Sequence, residues 1–169
     1  MPPRASPGAG RASASGARRA PASPRQAAII ALLRTAALVE RYLARVVQAE
    51  GLSFAQYNAL RILRGAGADG LPTMAIRERL LVPAPGITRL IDRLEQAGYV
   101  RRTRTAGDRR EVRCLLTAAG RALLARLDEP VDAADEQVLG ALSLSESREL
   151  VGLLDRARAA LGAADPGVG

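Results

Sequence analysis

Residues 99–113, YVRRTRTAGDRREVR, place six arginines in fifteen positions around a small Ala106-Gly107 turn. Clustered cations of this kind meet phosphates, so the chemistry on offer is anion binding. Other chemistries are poorly provided for. The chain has no histidine, which removes the common zinc sites and every His-dependent general-base mechanism, and its single Cys114 cannot close an intrachain disulfide. Catalysis would rest on carboxylates alone. The acidic run DEPVDAADE, residues 128–136, spreads its acids around a helix without His, a Gly-bearing loop or EF-hand spacing, the pattern of a solvated face rather than of a metal or catalytic site. No metal, cofactor or catalytic residue is expected.

The distribution of charge says more than its total of +8. By segment the balance is +6 for residues 1–39, +1 for 40–72, +5 for 73–117 and −4 for 118–169. A basic middle beside a neutral-to-acidic remainder is the footprint of a nucleic-acid binder. Every basic residue is Arg, as a GC-rich genome would produce. Such bias accounts for Arg in place of Lys but not for the clustering.

A chain of 169 residues with 48% apolar content can fill one ordinary domain, and with only 2% aromatic residues its core must be built from Leu, Ile, Val and Ala. It contains no uninterrupted apolar run of about 18 residues and no secretory h-region, so a cytoplasmic protein with no membrane partner is expected. Residues 1–24 are almost wholly Pro, Ala, Ser, Gly and Arg and read as a disordered basic arm, either touching phosphates or idle; a start codon assigned too far upstream would also produce it.

Helical periodicity begins at Gln26, with Ile29, Leu32, Leu33, Ala36, Val39, Leu43, Val46 and Val47, and ends at Gly51. Ser53 and Gln56 form a capping box for a helix with apolar Phe54, Tyr57, Leu60 and Leu63, followed by the loop GAGADG. A short helix, TMAIRERLL, starts at Thr73; Pro83 and Pro85 break it, and Pro85 suits the first turn of a second helix that stops at Gly98. Two short helices with a tight break form a helix-turn-helix candidate, although two ordinary core helices give the same pattern.

The second helix gathers Ile87, Leu90, Ile91 and Leu94 on one side and Gly86, Arg89, Asp92, Arg93 and Gln96 on the other, with Thr88 at the margin. Arg and Gln match base edges in the major groove, and a helix fits there. YVRRTR then reads as a strand, TAGD as a turn, and EVRCLL as a return strand with Val112, Cys114 and Leu116 on one face. A hairpin after a helix-turn-helix is a wing, with turn-side Arg109 and Arg110 placed to neutralise phosphates or enter a minor groove. Downstream, Thr117 caps a helix carrying Leu123, Leu124 and Leu127, Pro130 is expected to bend or break it before Val138 and Leu142, and Ser143 with Glu146 caps another.

The run from Leu71 through LIDRLEQAGYV and DRREVRCLLTAAG, with Asp108-x-Arg110 at the wing and LSLSESRELVGLLDRA near the C-terminus, resembles the MarR family of bacterial transcription regulators over residues 25–161. The resemblance implies a mainly α (α+β) fold: a winged helix-turn-helix at 53–117, dimerisation helices at 25–50 and 118–161, and a flexible tail at 162–169. It implies a homodimer that reads palindromic double-stranded DNA, often as a repressor released by a small lipophilic or phenolic effector, here unidentified. The residues it assigns to DNA are Thr88, Arg89, Arg93, Arg102, Arg104, Asp108, Arg109 and Arg110.

Two departures matter. Pro83-Ala84-Pro85-Gly86 stands where the family usually offers hydroxyl donors, so base readout falls to Thr88 and Arg89, then Arg93. The family's peroxide sensors carry a Cys at the start of the first helix, whereas Cys114 sits in a wing strand and reads as a buried structural thiol. The Trp of the urate-responsive branch is missing. The competing readings are a ligand-blind architectural DNA binder and, from another class, a carboxylate enzyme on a helical bundle, for which the sequence supplies no paired acids.

Overall fold

The computed structural model describes residues 23–104 and 112–164. The expected basic arm lies outside the described residues apart from its last two positions. Helix α1, Pro24–Gln48, keeps the period that starts at Gln26, and the described residues divide into two compact units inside it, at Thr35 and Ala36. In the first unit Ile29, Leu32 and Leu33 are exposed.

The second unit holds the core. Helix α2, Phe54–Ala66, opens on the anticipated capping box: Gln56 N–H donates to Ser53 Oγ at 3.2 Å and Ser53 N–H to Gln56 Oε1 at 2.8 Å. Tyr57, Leu60 and Leu63 are buried. The GAGADG segment is not a plain loop; α2 extends into it and Gly67–Asp69 form a single 3-10 turn. A two-residue strand unforeseen in the sequence, β1 at Leu71–Pro72, leads into α3, Thr73–Arg79, and then α4, Ile87–Gln96.

Strands β2, Val100–Arg104, and β3, Val112–Leu116, pair antiparallel with Arg102 opposite Cys114 and Arg101 opposite Leu115. β1 adds to the other edge of β3, giving the order β1-β3-β2. Cys114 and Leu116 are buried as expected, whereas Val112 at the outer end is exposed and Leu115, on the opposite face, is also buried. That face is covered by the end of α2 and the 3-10 turn, with Leu115 packed beside Gly70.

Helix α5, Ala118–Leu139, starts at Thr117, whose Oγ1 accepts from Gly120 N–H at 3.0 Å. Of the two outcomes expected at Pro130, a bend or a break, the break does not occur, and α5 runs on to Leu139. A proline inside a helix costs about 3 kcal/mol through its missing N–H and ring clash. Here Leu123, Leu124 and Leu127 before it and Val131 and Ala134 after it are all buried, so continuing the helix retains apolar burial that offsets the loss. Helix α6, Leu144–Ala164, carries the second capping box, Ser143 N–H to Glu146 Oε2 at 2.8 Å and Glu146 N–H to Ser143 Oγ at 3.2 Å, and runs through the first three residues of the expected tail. It leaves Leu144, Val151, Leu153 and Leu161 exposed.

Candidate nucleic-acid interface

The α3–α4 pair rests on α2. Asn58, the one buried polar side chain among the described residues, accepts a hydrogen bond from Leu81 N–H at 2.7 Å and so ties the turn between the two helices to the core. The first turn of α4 differs from the sequence reading. Pro85 does not begin the helix; Gly86 sits at φ 83°, ψ 47°, a left-handed conformation that suits glycine, and α4 begins at Ile87 without a side-chain cap. Ile87, Ile91 and Leu94 are buried, while Thr88, Arg89 and Arg93 are exposed. Neither Arg89 nor Arg93 forms an ion pair with any described residue.

The C-terminal end of α4 is closed by a Schellman turn, with Gly98 N–H bonded to Glu95 O and Tyr99 N–H to Leu94 O, both at 2.9 Å. The chain passes from it straight into β2. Arg102 then folds back on the helix: its Nη2 meets Asp92 Oδ1 at 2.6 Å, its Nη1 meets Glu95 Oε2 at 2.5 Å, and its backbone N–H donates to Glu95 Oε1 at 2.9 Å. Burial works against the guanidinium's charge, but the hydrogen bonds to Asp92 and Glu95 outweigh it and hold its pKa above the ordinary arginine value. With both arms of its fork engaged and its side chain 26% exposed, Arg102, one of the residues the resemblance assigns to DNA, joins hairpin to helix. The same contacts engage both carboxylates of α4 and offset one of their two charges, so that with Arg89 and Arg93 the balance around the helix is positive.

Arg104 is exposed at the outer end of β2. Asp108, Arg109 and Arg110 lie outside the described residues. Cys114 is fully buried, with Sγ 3.6 Å from Thr73 Oγ1, which bears out the structural reading of this thiol. In the acidic run Asp128 pairs with Arg64 at 2.8 Å and Asp132, Asp135 and Glu136 face solvent; the described residues contain no cluster of potential metal ligands. Among those residues no helix is long and apolar enough to cross a membrane. Asn58 and the acid pair Asp92 and Glu95 were not singled out from sequence, because their partners come from other elements.

A family model described as the MarR family matches residues 50–111, from the turn after α1 to the edge of β3. The HTH-type transcriptional regulator PecS of Dickeya dadantii is 35% identical over 126 residues, 74% of this chain and 76% of that one. The chain belongs to the MarR family. Among solved MarR structures, Sco5413, a MarR family transcriptional regulator from Streptomyces coelicolor, is 31% identical with a TM-score of 0.70, covering 82% of this chain and 96% of the other. The MarR family protein Rv2887 of Mycobacterium tuberculosis, solved in complex with salicylic acid, is 28% identical with a TM-score of 0.60, covering 75% and 92%. This MarR chain is thus a DNA-binding transcription regulator on a winged helix-turn-helix, and not an enzyme.

Proposed function

We propose that the chain is a cytoplasmic, ligand-responsive repressor that binds a palindromic operator as a homodimer through the winged module at residues 53–117. The observation that carries this reading is the exposed face of α4, where Thr88, Arg89 and Arg93 stand free while Asp92 and Glu95 are occupied by Arg102. Thr88 and Arg89 contact base edges in the major groove, with Arg93 beside them. Arg104 and the turn-side Arg109 and Arg110 meet phosphates or the minor groove, Asp108 orienting Arg110. Dimerisation is supported by the apolar side chains that the terminal helices expose, Ile29, Leu32 and Leu33 in α1 and Leu144, Val151 and Leu161 in α6, which a second copy would cover. Half-sites then lie ~34–36 Å apart. Ligand response is supported by the related Rv2887, whose structure holds salicylic acid; a small lipophilic or phenolic effector fits the same pattern.

A salt titration of variants against the operator and a scrambled duplex tests the assignment. Arg89→Ala should lose about 1–3 kcal/mol mainly on the operator, relaxing preference at one base pair per half-site. Arg104→Ala and Arg109→Ala should weaken both duplexes alike and reduce the salt slope by roughly 0.9 for each phosphate contact removed. Equal loss on both duplexes for Arg89→Ala moves base readout to Thr88 or to DNA shape.

A further inference from the structure

On the face of the sheet turned away from α4 lies a cavity of about 580 Å³, within the range of small-molecule sites. Strand alternation sets its relation to the recognition helix. Arg102, opposite Cys114, points to α4, so its neighbour Arg101, opposite Leu115, points to the other side and lines the cavity. Leu63 at the end of α2 and Leu115 and Leu116 of β3 supply apolar wall.

The charged lining is of one sign. Arg64, Arg101 and Arg121 border the cavity, and no carboxylate among the described residues does. Arg64 is paired with Asp128, and Arg121 donates to Leu116 O at 3.0 Å. Arg101 has no ion pair or hydrogen-bond partner for its side chain among the described residues. The cavity also opens on the first residues of α5, Thr117 and Ala118, where the positive end of a 22-residue helix adds to the field.

We propose that this cavity binds a small amphipathic organic anion, its carboxylate on Arg101 with support from Arg121 and its apolar body against Leu63 and Leu115. The site involves no residue of α1 or α6. It deepens the ligand-responsive reading and rests on that reading for its consequence: an occupant that draws on Arg101 acts one residue away from the Arg102 contacts that set the angle between α4 and the hairpin. Such a ligand changes DNA affinity only to the extent that it prefers one of those angles.

Naphthoate serves as the probe, because the chain has no Trp to obscure its emission. Full-length protein without DNA should bind naphthoate saturably at submillimolar to millimolar concentration. Arg101→Gln should weaken binding by roughly tenfold or more, the loss of one charge-assisted pair at a half-open site, and the neutral naphthamide should bind the native chain correspondingly less well. Arg79→Gln, on the exposed surface of α3, should bind as the native chain does. Absence of saturable binding, equal binding of acid and amide, or unchanged affinity in Arg101→Gln overturns the site. Repeating the titration with operator duplex present tests the regulatory reading separately: binding that leaves duplex affinity unchanged keeps the cavity as an anion site and removes it from the control of DNA release.

Discussion

Helices α4 and α6 are both amphipathic, and they dispose of their apolar sides in opposite ways. In α4 the apolar positions Ile87, Ile91 and Leu94 are buried inside the chain, and the remaining polar face is free for a ligand. In α6 the larger part of the apolar surface faces solvent, from Leu144 at 76% exposed to Leu153 at 52%. Leu150 and Leu154 are half-covered, and no residue of α6 from Leu144 to Gly162 reaches full burial. At about 1.5–3 kcal/mol per large aliphatic side chain, the four exposed residues of α6 represent on the order of 10 kcal/mol per chain, an upper bound, that only another surface can release. The apolar side of the recognition helix is therefore covered within one chain, whereas that of the C-terminal helix is left open and would be covered in the proposed dimer.

The sharpest way to break this contrast is to charge α6. Leu144→Glu with Val151→Glu, seven residues apart on one stripe, should leave a folded monomer in sedimentation and lower operator affinity by a hundredfold or more, since two half-sites no longer act together. A stable dimer with unchanged affinity would show that α6 is not the joining surface.

On the α4 side, Arg102→Gln should cost about 1–2 kcal/mol in urea unfolding, discounted for its partial exposure. Combined with Glu95→Gln the loss should be smaller than the sum of the two single changes, because both remove the same contact. It should also weaken operator and scrambled duplex together, since it misaligns helix and hairpin without touching a base. Additive losses would mean that the contact does not stabilise the folded chain.

The smallest effect belongs to the cap of α6. Hydrogen bonds from the Ser143 N–H and hydroxyl hold the Glu146 carboxyl below its ordinary pKa. A lowered carboxyl contributes stability that is present above the ordinary carboxylate range and lost as pH falls through the lowered value. Glu146→Ala should therefore speed amide exchange over residues 144–150 near neutrality and remove that acid dependence, with little change in global stability. Acid-sensitive exchange that persists in the variant would assign it to another group.

What the sequence disclosed and what it concealed follow the range of the interactions. The caps at Ser53, Thr117 and Ser143 were legible because each joins residues three apart, and the inward side of α4 because its period lies within ten residues. The left-handed Gly86 was not, since Pro85 alone is a sound first helical residue. The uninterrupted α5 was not, because the burial of Val131 that carries the helix past Pro130 depends on packing from other elements. Among the candidate DNA contacts, Thr88, Arg89 and Arg93 were proposed from type and position and Arg104 from the family resemblance, and all four are exposed in the fold. Arg102 looked identical to its neighbours in sequence and differs from them only through Asp92 and Glu95, ten and seven residues away across a chain reversal.

The Schellman turn at Ala97, Gly98 and Tyr99 leads directly into β2, so that α4 and β2 form the two arms of a lever with its fulcrum at Gly98. Five residues of β2 at ~3.3 Å each give the outer arm a length of ~17 Å, and a tilt of α4 by ~5° sweeps its far end through ~1.5 Å, half the length of a hydrogen bond. The mechanical advantage runs in both directions. In the proposed complex a phosphate pulling on the hairpin would exert torque on α4, so that grip on the backbone and aim at the bases would not be adjusted independently.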